Sequence, residues 1–210
     1  MSRKVSESTV RRLSLYLRIL EEMASPGGTV SSEDLAERTG TTAAQVRKDL
    51  SLFGSFGKRG LGYSVEELSG RLRAILGLDR TWNVAMVGAG RIGSALFEYS
   101  GFWKRGFHIV AVLDADPAKV GRRWGPITIQ DASRLEEVIG GAGVDILILA
   151  VPAREVHAIV DRAVAAGVRA ILNFAPAQLK VPEDVALKHV NMVMELEALS
   201  FTLSQDRKER

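Results

Sequence analysis

Apolar residues in the first 80 positions recur every three or four residues, a spacing that predicts amphipathic helices. The first helix is expected to begin at Ser8 or Thr9, either of which can cap it, and to end near Met23. A second is expected from Ser31 to Gly40, because serine favours a helix start and glycine a helix end. The chain therefore opens with short helices, each of which must bury one face against its neighbours.

A third predicted helix follows after a tight turn. Thr42 and Gln45 have the spacing of a capping box, and Val46, Leu50 and Phe53 fall on one face. The residues left on the outer face are small or basic, namely Ala44, Arg47, Lys48 and Ser51. This arrangement is typical of a helix-turn-helix that enters the major groove, but a helical hairpin with a hydrated face has the same pattern. The two helices alone leave both interpretations open.

The segment after the third helix favours DNA binding. Residues 54–63 alternate glycines with aromatic and basic residues, which predicts a tight two-stranded wing. Lys58, Arg59 and Gly60 would form its tip, where the two cations can contact phosphates or enter the minor groove. A further helix is predicted from Val65 to about Leu76. Residues 1–79 are therefore predicted to form a winged-helix DNA-binding domain.

From residue 82 onward, short apolar runs alternate with helical segments, which is the pattern of an α/β fold with a doubly wound parallel sheet. Strands are predicted at residues 83–87, 108–113, 127–129, 145–151 and 169–174, and helices at 131–139 and 153–166. Residues 80–188 are therefore predicted to form a Rossmann domain. Ligands of such sheets bind outside the carboxyl ends of the strands.

The turn after the first of these strands has the sequence of a dinucleotide-binding loop. It consists of Gly88, Ala89, Gly90, Arg91, Ile92 and Gly93. The first glycine permits a tight turn, the second lets the backbone approach a pyrophosphate, and the third lets the next helix pack closely on the sheet. Asp114 ends the second strand, where a carboxylate can accept hydrogen bonds from the adenosine ribose. An acid at this position favours NAD(H) over its 2′-phosphorylated form.

Further residues are assigned to the predicted cofactor site by their position at strand ends. They are Asp116 and Lys119 after the second strand, Val151 and Pro152 at the fourth, and Asn173, Phe174 and Ala175 at the fifth. NADH and NAD+ are the expected cofactors.

Residues 189–210 are predicted to contain a C-terminal strand and helix. The helix carries an apolar stripe of Met192, Leu196, Leu199 and Leu203. Such a stripe can close the sheet of its own chain or pack on another subunit, and periodicity does not distinguish the two.

Composition and charge narrow the classes of function. The 210 residues are 46% hydrophobic and 25% charged, which is ordinary for a globular protein of two domains. There is no cysteine, and His108, His157 and His189 lie far apart, so no metal site is expected. No run is apolar and long enough for a membrane helix or a signal peptide, and the chain is expected to be cytosolic. The net charge of +3 arises in residues 1–80, where 13 Lys and Arg stand against 10 Asp and Glu.

Two other classes of function are compatible with a cofactor site beside a helical domain. An NAD-dependent dehydrogenase would need a histidine, a lysine or a tyrosine–lysine pair at a strand end, and no such catalytic set is found. A nucleotide-binding scaffold could use its winged helix for protein contacts, but the basic outer face favours DNA instead.

The sequence closely resembles the Rex family of redox-sensing transcriptional repressors. The resemblance rests on QVRKDLSLFGSFGKRGLGY at residues 45–63, on the glycine turn at 88–93 and on LNFAP at 172–176, and it covers nearly the whole chain. It implies a cytosolic bacterial homodimer that binds an inverted-repeat operator and is released when NADH replaces NAD+. It also implies that the C-terminal helix is exchanged between subunits.

Two single residues follow from the same resemblance. Tyr99, early after the glycine turn, would lie near the nicotinamide and help to sense its charge. Family members commonly have an acid at the position of Asn191, suited to an ion pair with a first-helix arginine of the partner subunit, here Arg18. An amide can donate or accept a hydrogen bond but cannot form that ion pair.

Overall fold

The computed structural model describes residues 5–23, 27–57 and 61–206. The chain divides after Arg80 into two units, Met1–Arg80 and Thr81–Arg210. The first unit contains α1 (Glu7–Glu22), β1 (Thr29–Val30), α2 (Ser32–Thr39), α3 (Ala43–Ser51), β2 (Tyr63–Ser64) and α4 (Val65–Ile75). Its core is one cluster in which leucines of α1 and α4 meet the inner faces of α2 and α3.

Side-chain caps fix where these helices begin. Ser6 caps α1 by accepting a hydrogen bond from the Thr9 backbone, so the predicted start at Ser8 or Thr9 is wrong by two or three residues. The predicted start of α2 is confirmed, since Ser31 forms a complete capping box. In α3, Thr42 accepts from the Gln45 backbone as predicted. The Gln45 side chain, however, donates to Asp49 one turn later in the same helix, so it does not complete the box.

The predicted two-stranded wing within residues 54–63 is not found in the described part of that segment. Residues 54–57 contain no strand, and β2 pairs antiparallel with β1, Thr29 opposite Ser64 and Val30 opposite Tyr63. The physical reason is that Gly54 and Gly57 have positive φ, 122° and 71°, which turns the chain away from a regular ladder. Lys58, Arg59 and Gly60, the predicted tip, lie outside the described residues.

The second unit alternates strands and helices. It contains β3 (Trp82–Val87), α5 (Arg91–Glu98), α6 (Ser100–Lys104), β4 (Phe107–Asp114), β5 (Arg123–Trp124), β6 (Ile127–Thr128), β7 (Gln130–Asp131), a short 3-10 helix (Ala132–Arg134), α7 (Leu135–Gly141), β8 (Ile146–Leu149), α8 (Ala153–Ala165), β9 (Ala170–Asn173), β10 (Ala186–His189) and α9 (Met192–Asp206). Within the described residues the main sheet has the order β10-β9-β8-β3-β4-β7 and is parallel throughout. The predicted doubly wound fold is confirmed.

Two details of this sheet differ from the prediction. Residues 127–129 do not form its third strand, because Ile127 and Thr128 belong to a separate hairpin with Arg123 and Trp124. The edge strand is β7, two residues later. A sixth strand, β10, lies before residue 189 and pairs with β9, whereas the sequence placed the last strand after that residue. Both strands are short, largely exposed edge strands, so neither forms an apolar run that the sequence would reveal.

The order of the strands determines where a ligand can bind. β3 has β4 on one side and β8 on the other, so the chain moves outward to one edge and then returns past β3 to build the other half. Helices α7 and α8 cover one face of the sheet, while α5 and α6 pack on the other. The carboxyl ends of β3, β4 and β8 thus surround a topological switch point, where doubly wound sheets open a crevice.

The C-terminal helix α9 leaves its apolar side chains exposed. Among the residues of α9, Met192, Leu196, Leu199 and Leu203 are each 62–65% exposed, and so are Val193, Met194 and Phe201 at 60–65%. At 100° per residue, Met194 and Phe201 lie opposite the predicted stripe, so the expectation of a single stripe is too simple. No helix in the described ranges is both long enough and apolar enough to cross a membrane.

Candidate functional site

A cleft of about 760 Å³ lies at the carboxyl ends of β3, β4 and β8, a volume suited to a small-molecule ligand. Its lining residues come from the glycine turn, the end of β4 and the segments that follow β8 and β9. They are Val87, Gly88, Gly90, Arg91, Ile92, Asp114, Ala115, Asp116, Lys119, Ala132, Ala150, Val151, Pro152, Arg154, Glu155, Ile159, Phe174 and Pro176.

The glycines of the turn have different surroundings. Gly88 has φ +108°, and a Cβ there would collide with the carbonyl of Ala150 on the neighbouring strand end. A Cβ on Gly93 would collide with the Gly88 carbonyl, so this glycine lets α5 approach the sheet. A Cβ on Gly90 would meet no protein atom within 4 Å. The space beside Gly90 opens into the cleft.

The start of α5 offers hydrogen-bond donors to the cleft. Gly90 precedes the helix and has no side chain to cap it, so within the described residues no side-chain oxygen satisfies the first backbone N–H groups. These groups and the positive end of the helix dipole favour an anion beside Gly90. A pyrophosphate is the anion that a turn of this kind accommodates.

Asp114 is a buried carboxylate that lines the same cleft beside the glycine turn. It accepts hydrogen bonds from the backbone N–H of Ala89 at 2.7 Å and of Asp116 at 2.8 Å, and from Lys119 Nζ at 3.0 Å. Burial raises the pKa of Asp114, but these bonds and the Lys119 charge outweigh burial and hold the pKa below its usual value. The group is ionised at neutral pH. Its oxygens keep lone pairs that can accept further bonds.

Most of the predicted cofactor residues line this cleft, and five do not. Ala89 contributes its backbone N–H to Asp114, and Gly93 supports the helix start. Asn173 is fully buried and bonds the backbone of Ala175 and the ring of His189, so it holds the end of β9. Tyr99 is 55% exposed at the end of α5 and packs edge-on against Phe102. Asn173, Ala175 and Tyr99 therefore lie outside the cleft of their own chain.

The cleft also contains residues that the sequence analysis did not assign. Arg154 and Glu155 lie in the first turn of α8, and Ile159 follows one turn later. The sequence holds a signal that could have found them. They lie at the start of the helix that follows β8, and ligands of such sheets bind beyond the strand ends, where this helix begins. Arg154 is the cation among them, with a side chain that is 81% exposed.

The outer face of α3 is the second candidate surface. Ala44, Arg47, Lys48 and Ser51 are all exposed, as predicted, while Val46 and Leu50 are buried on the other side. Arg47 bonds back to the start of α2, where its Nη1 donates to Ser32 Oγ at 2.7 Å and to Glu33 Oε1 at 3.0 Å. This surface carries small and basic side chains, which suit the major groove.

A buried carboxylate connects α3 to α1. Asp49 is 1% exposed, accepts two bonds from Arg12 at 2.6 and 2.7 Å, and receives further bonds from Tyr16 and Gln45. Burial raises the pKa of Asp49, but these hydrogen bonds outweigh it and keep the pKa low. Burial and the hydrogen bond to Asp49 raise the pKa of Tyr16 well above its ordinary value. The network fixes α3, and with it the basic outer face.

The loop after α3 is held at its base by α4. Arg71 donates to the Ser55 carbonyl at 2.8 Å, and its guanidinium lies 4.0 Å from the ring centre of Phe56. Gly57 packs against the backbone of Gly62, which leaves no room for a side chain. Gly57 and Gly62 therefore lie side by side.

Comparison with known proteins gives the family. Residues 79–177 match the family model described as "CoA binding domain", and residues 4–51 match "Putative DNA-binding protein N-terminus". The redox-sensing transcriptional repressor Rex of Carboxydothermus hydrogenoformans is 48% identical over 97% of this chain and 98% of its own length. Rex of Chloroflexus aurantiacus is 45% identical over 94% of both chains. This chain belongs to the Rex family.

Solved Rex structures superpose over nearly the whole chain. RSP, a Rex-family repressor in complex with β-NAD+ and operator DNA, is 40% identical and gives a TM-score of 0.93 over 98% of this chain and 95% of its own. RSP in complex with β-NADH is 38% identical and gives 0.88 over 98% and 97%. The resemblance seen in the sequence is confirmed. Since the Rex relatives are repressors, the dehydrogenase alternative is set aside.

The position of Asn191 in this Rex-family chain has a local explanation. Its Oδ1 accepts hydrogen bonds from the backbone N–H groups of Val193 at 3.0 Å and Met194 at 3.4 Å, so the amide caps the start of α9. Arg18 is exposed on α1. An acid at this position could cap the helix in the same way. The amide of Asn191 therefore keeps the capping role but carries no charge.

Proposed function

We propose that this chain is a transcriptional repressor that binds an inverted-repeat DNA operator with NAD+ and leaves it when NADH takes its place. The observation that carries the proposal is the presence, in one Rex-family chain, of an NAD-type cleft and a basic recognition helix. The relatives are redox-sensing repressors, and the related RSP was crystallised with β-NAD+ on operator DNA and with β-NADH.

The preference for NAD(H) follows from Asp114. The ionised carboxylate can accept bonds from the ribose hydroxyls, whereas a 2′-phosphate would bring like charge against it. Lys119 does not offset this repulsion fully, because its ammonium is already paired with Asp114 at 3.0 Å. The pyrophosphate would lie beside Gly90 on the start of α5.

DNA binding is assigned to α3 and the segment after it. Ala44, Arg47, Lys48 and Ser51 would face the major groove, while Lys58, Arg59 and Gly60 would contact the backbone or minor groove. A winged helix that binds a protein partner is the remaining alternative, and the basic outer face favours DNA over it. A protein that acts on operator DNA in a bacterium works in the cytoplasm, which is where we place it.

Release requires that NADH and NAD+ prefer different states of the dimer. A ligand that binds both states equally shifts no equilibrium, and such couplings are typically about 1–3 kcal/mol per site. We infer that reduced cofactor favours a dimer whose recognition helices no longer match half-sites separated by about one helical turn, roughly 34–36 Å. DNA bound in the presence of NAD+ is therefore expected to dissociate when NADH is added, which fluorescence anisotropy of a labelled duplex measures.

We infer further that α9 is the dimer contact and is exchanged between two copies of the chain. Its apolar side chains are 60–65% exposed on opposite faces, which is unusual for a helix left in water. Two opposite apolar faces suit a helix that is enclosed from both sides by a partner. With α9 exchanged, Asn191 would lie beside the first helix of the partner, which carries Arg18.

Replacing Leu199 with glutamate is expected to dissociate the dimer, because a charge would have to be buried in the apolar contact. Operator affinity should fall by about 100-fold or more, since a monomer binds only one half-site. Sedimentation or light scattering gives the mass, and Ser204→Glu, which adds the same charge to an exposed polar position of α9, is the control. A Leu199→Glu protein that remains a dimer would contradict the assignment.

A further inference from the structure

Arg47 is oriented by a contact at the start of the neighbouring helix. Its Nη1 donates both to Ser32 Oγ at 2.7 Å and to Glu33 Oε1 at 3.0 Å. Ser32 is only 7% exposed, and its hydroxyl donates in turn to Glu33 Oε2 at 3.0 Å. Each of the three side chains is thus hydrogen-bonded to the other two, and Arg47 takes part through Nη1 alone.

The rest of the guanidinium remains available. Among the described residues, Nε and Nη2 of Arg47 have no hydrogen-bond partner, and the side chain is 54% exposed on the outer face of α3. These two nitrogens present parallel N–H donors along one edge of a planar group. O6 and N7 of guanine, at the edge of the major groove, are the matching pair of acceptors.

The contact with Glu33 does little for the stability of the fold. Its two side chains are 54% and 68% exposed, and exposed ion pairs contribute little because water and salt screen them. Its effect lies in the freedom of the arginine. An arginine that is already oriented loses less conformational entropy when it binds than one that must first be ordered.

The carboxylate of Glu33 also has an electrostatic cost. It is exposed near the surface that would face the phosphates, where a negative charge weakens binding to DNA of any sequence. An orienting acid should therefore raise the preference for one base while it lowers the affinity for random DNA. A purely structural contact would not have these opposite effects.

We propose that Glu33, together with Ser32, is a specificity-determining positioning residue that holds Arg47 in the orientation for bidentate recognition of a guanine. This proposal rests on the DNA-binding function proposed above. Ser32 supplies the buried anchor, Glu33 supplies the charge, and Arg47 alone touches the base.

The test begins with duplexes that the wild-type protein selects from a randomised library in the presence of NAD+. Affinities for the selected duplex, for the duplex with each guanine replaced in turn, and for a random duplex are then measured for each variant. The variants are Glu33→Ala, which removes the acceptor and the charge, and Glu33→Gln, which keeps an acceptor oxygen without the charge. Glu37→Ala is the matched control, because Glu37 is an exposed acid of α2 that is not bonded to Arg47.

We expect Glu33→Ala to lower discrimination at one guanine per half-site about three- to tenfold, since a good bidentate pair provides at least that much. Its affinity for the random duplex should rise about twofold, as should that of Glu33→Gln and Glu37→Ala, because each removes one negative charge. Glu33→Gln should retain part of the discrimination, and Glu37→Ala all of it. Arg47→Ala should lose preference at the same guanine.

Unchanged discrimination in Glu33→Ala would overturn the proposal, and so would a gain in specific affinity with discrimination intact, which would mean that Glu33 only competes for Arg47. Equal weakening on all duplexes, with a lower melting temperature, would also overturn it as a structural effect. If the wild-type protein selects no duplex at all, the DNA-binding function itself fails, which is a different result from any of these.

Discussion

Replacing Gly90 with alanine is expected to prevent cofactor binding in a protein that remains folded. The added Cβ would meet no protein atom within 4 Å, and φ at Gly90 is −88°, which alanine adopts without strain. The methyl group would instead occupy the space beside the start of α5, where the pyrophosphate must approach the backbone. We expect NADH affinity to fall about 30-fold or more, which is 2 kcal/mol in binding free energy.

Isothermal titration calorimetry with NADH measures the loss of affinity, and a thermal melt shows whether the protein remains folded. Gly140→Ala is the control, because a Cβ on that glycine of α7 also meets nothing within 4 Å but lies away from the cleft. Both variants should melt close to the wild-type temperature, and only Gly90→Ala should lose NADH. Wild-type affinity in a folded Gly90→Ala protein would show that the dinucleotide does not bind on this turn.

Replacing Asp49 with alanine is expected to destabilise the N-terminal unit by about 3–5 kcal/mol, the usual cost of breaking a buried ion pair. Arg12, Tyr16 and Gln45 would lose the acceptor that they share, and a partly buried guanidinium would be left unpaired. Hydrogen exchange of α1 and α3 amides measures the loss in this unit directly. The Glu7→Ala variant, which loses an exposed pair with Arg11, should change stability by only about 0.5 kcal/mol.

The same carboxylate makes stability depend on pH. Because the folded pKa of Asp49 lies below its ordinary value of 3.8, the carboxylate stabilises the fold fully above that pH. This contribution is lost as pH falls through the lower, folded pKa. The free energy of unfolding, measured by urea titration at a series of pH values, should therefore fall less steeply at acid pH for Asp49→Ala than for the wild-type protein. A loss below about 1 kcal/mol at neutral pH would show that the network is not needed for stability.

The sequence predicted those parts of the fold that depend on local pattern. β3, β4 and β8 are buried on both faces, so they form continuous apolar runs, and Gly88 and Gly93 occupy positions where the backbone leaves no room for a side chain. The acid at the end of β4 could be predicted for the same reason, since it follows a buried run at a set distance from the turn.

Features that depend on distant partners could not be predicted in this way. The role of Asp49 could not be predicted, because nothing local indicates that Arg12, 37 positions earlier, binds it. Glu33 and Arg47 lie on different helices, and their contact depends on how α2 packs on α3. The second apolar face of α9 was not predicted, because Met194 and Phe201 lie seven residues apart with only Glu197 and Ala198 between them on that face.

The most direct test of redox sensing is release of a labelled operator duplex, selected by the protein itself, during titration with each cofactor form. With NAD+ present throughout, NADH should release the duplex at concentrations far below those at which added NAD+ has any effect. The Gly90→Ala protein should retain the duplex at NADH concentrations that release it from the wild-type protein. Release by NAD+ and NADH at equal concentrations, or release by neither, would contradict the proposal that this protein senses the oxidation state of its cofactor.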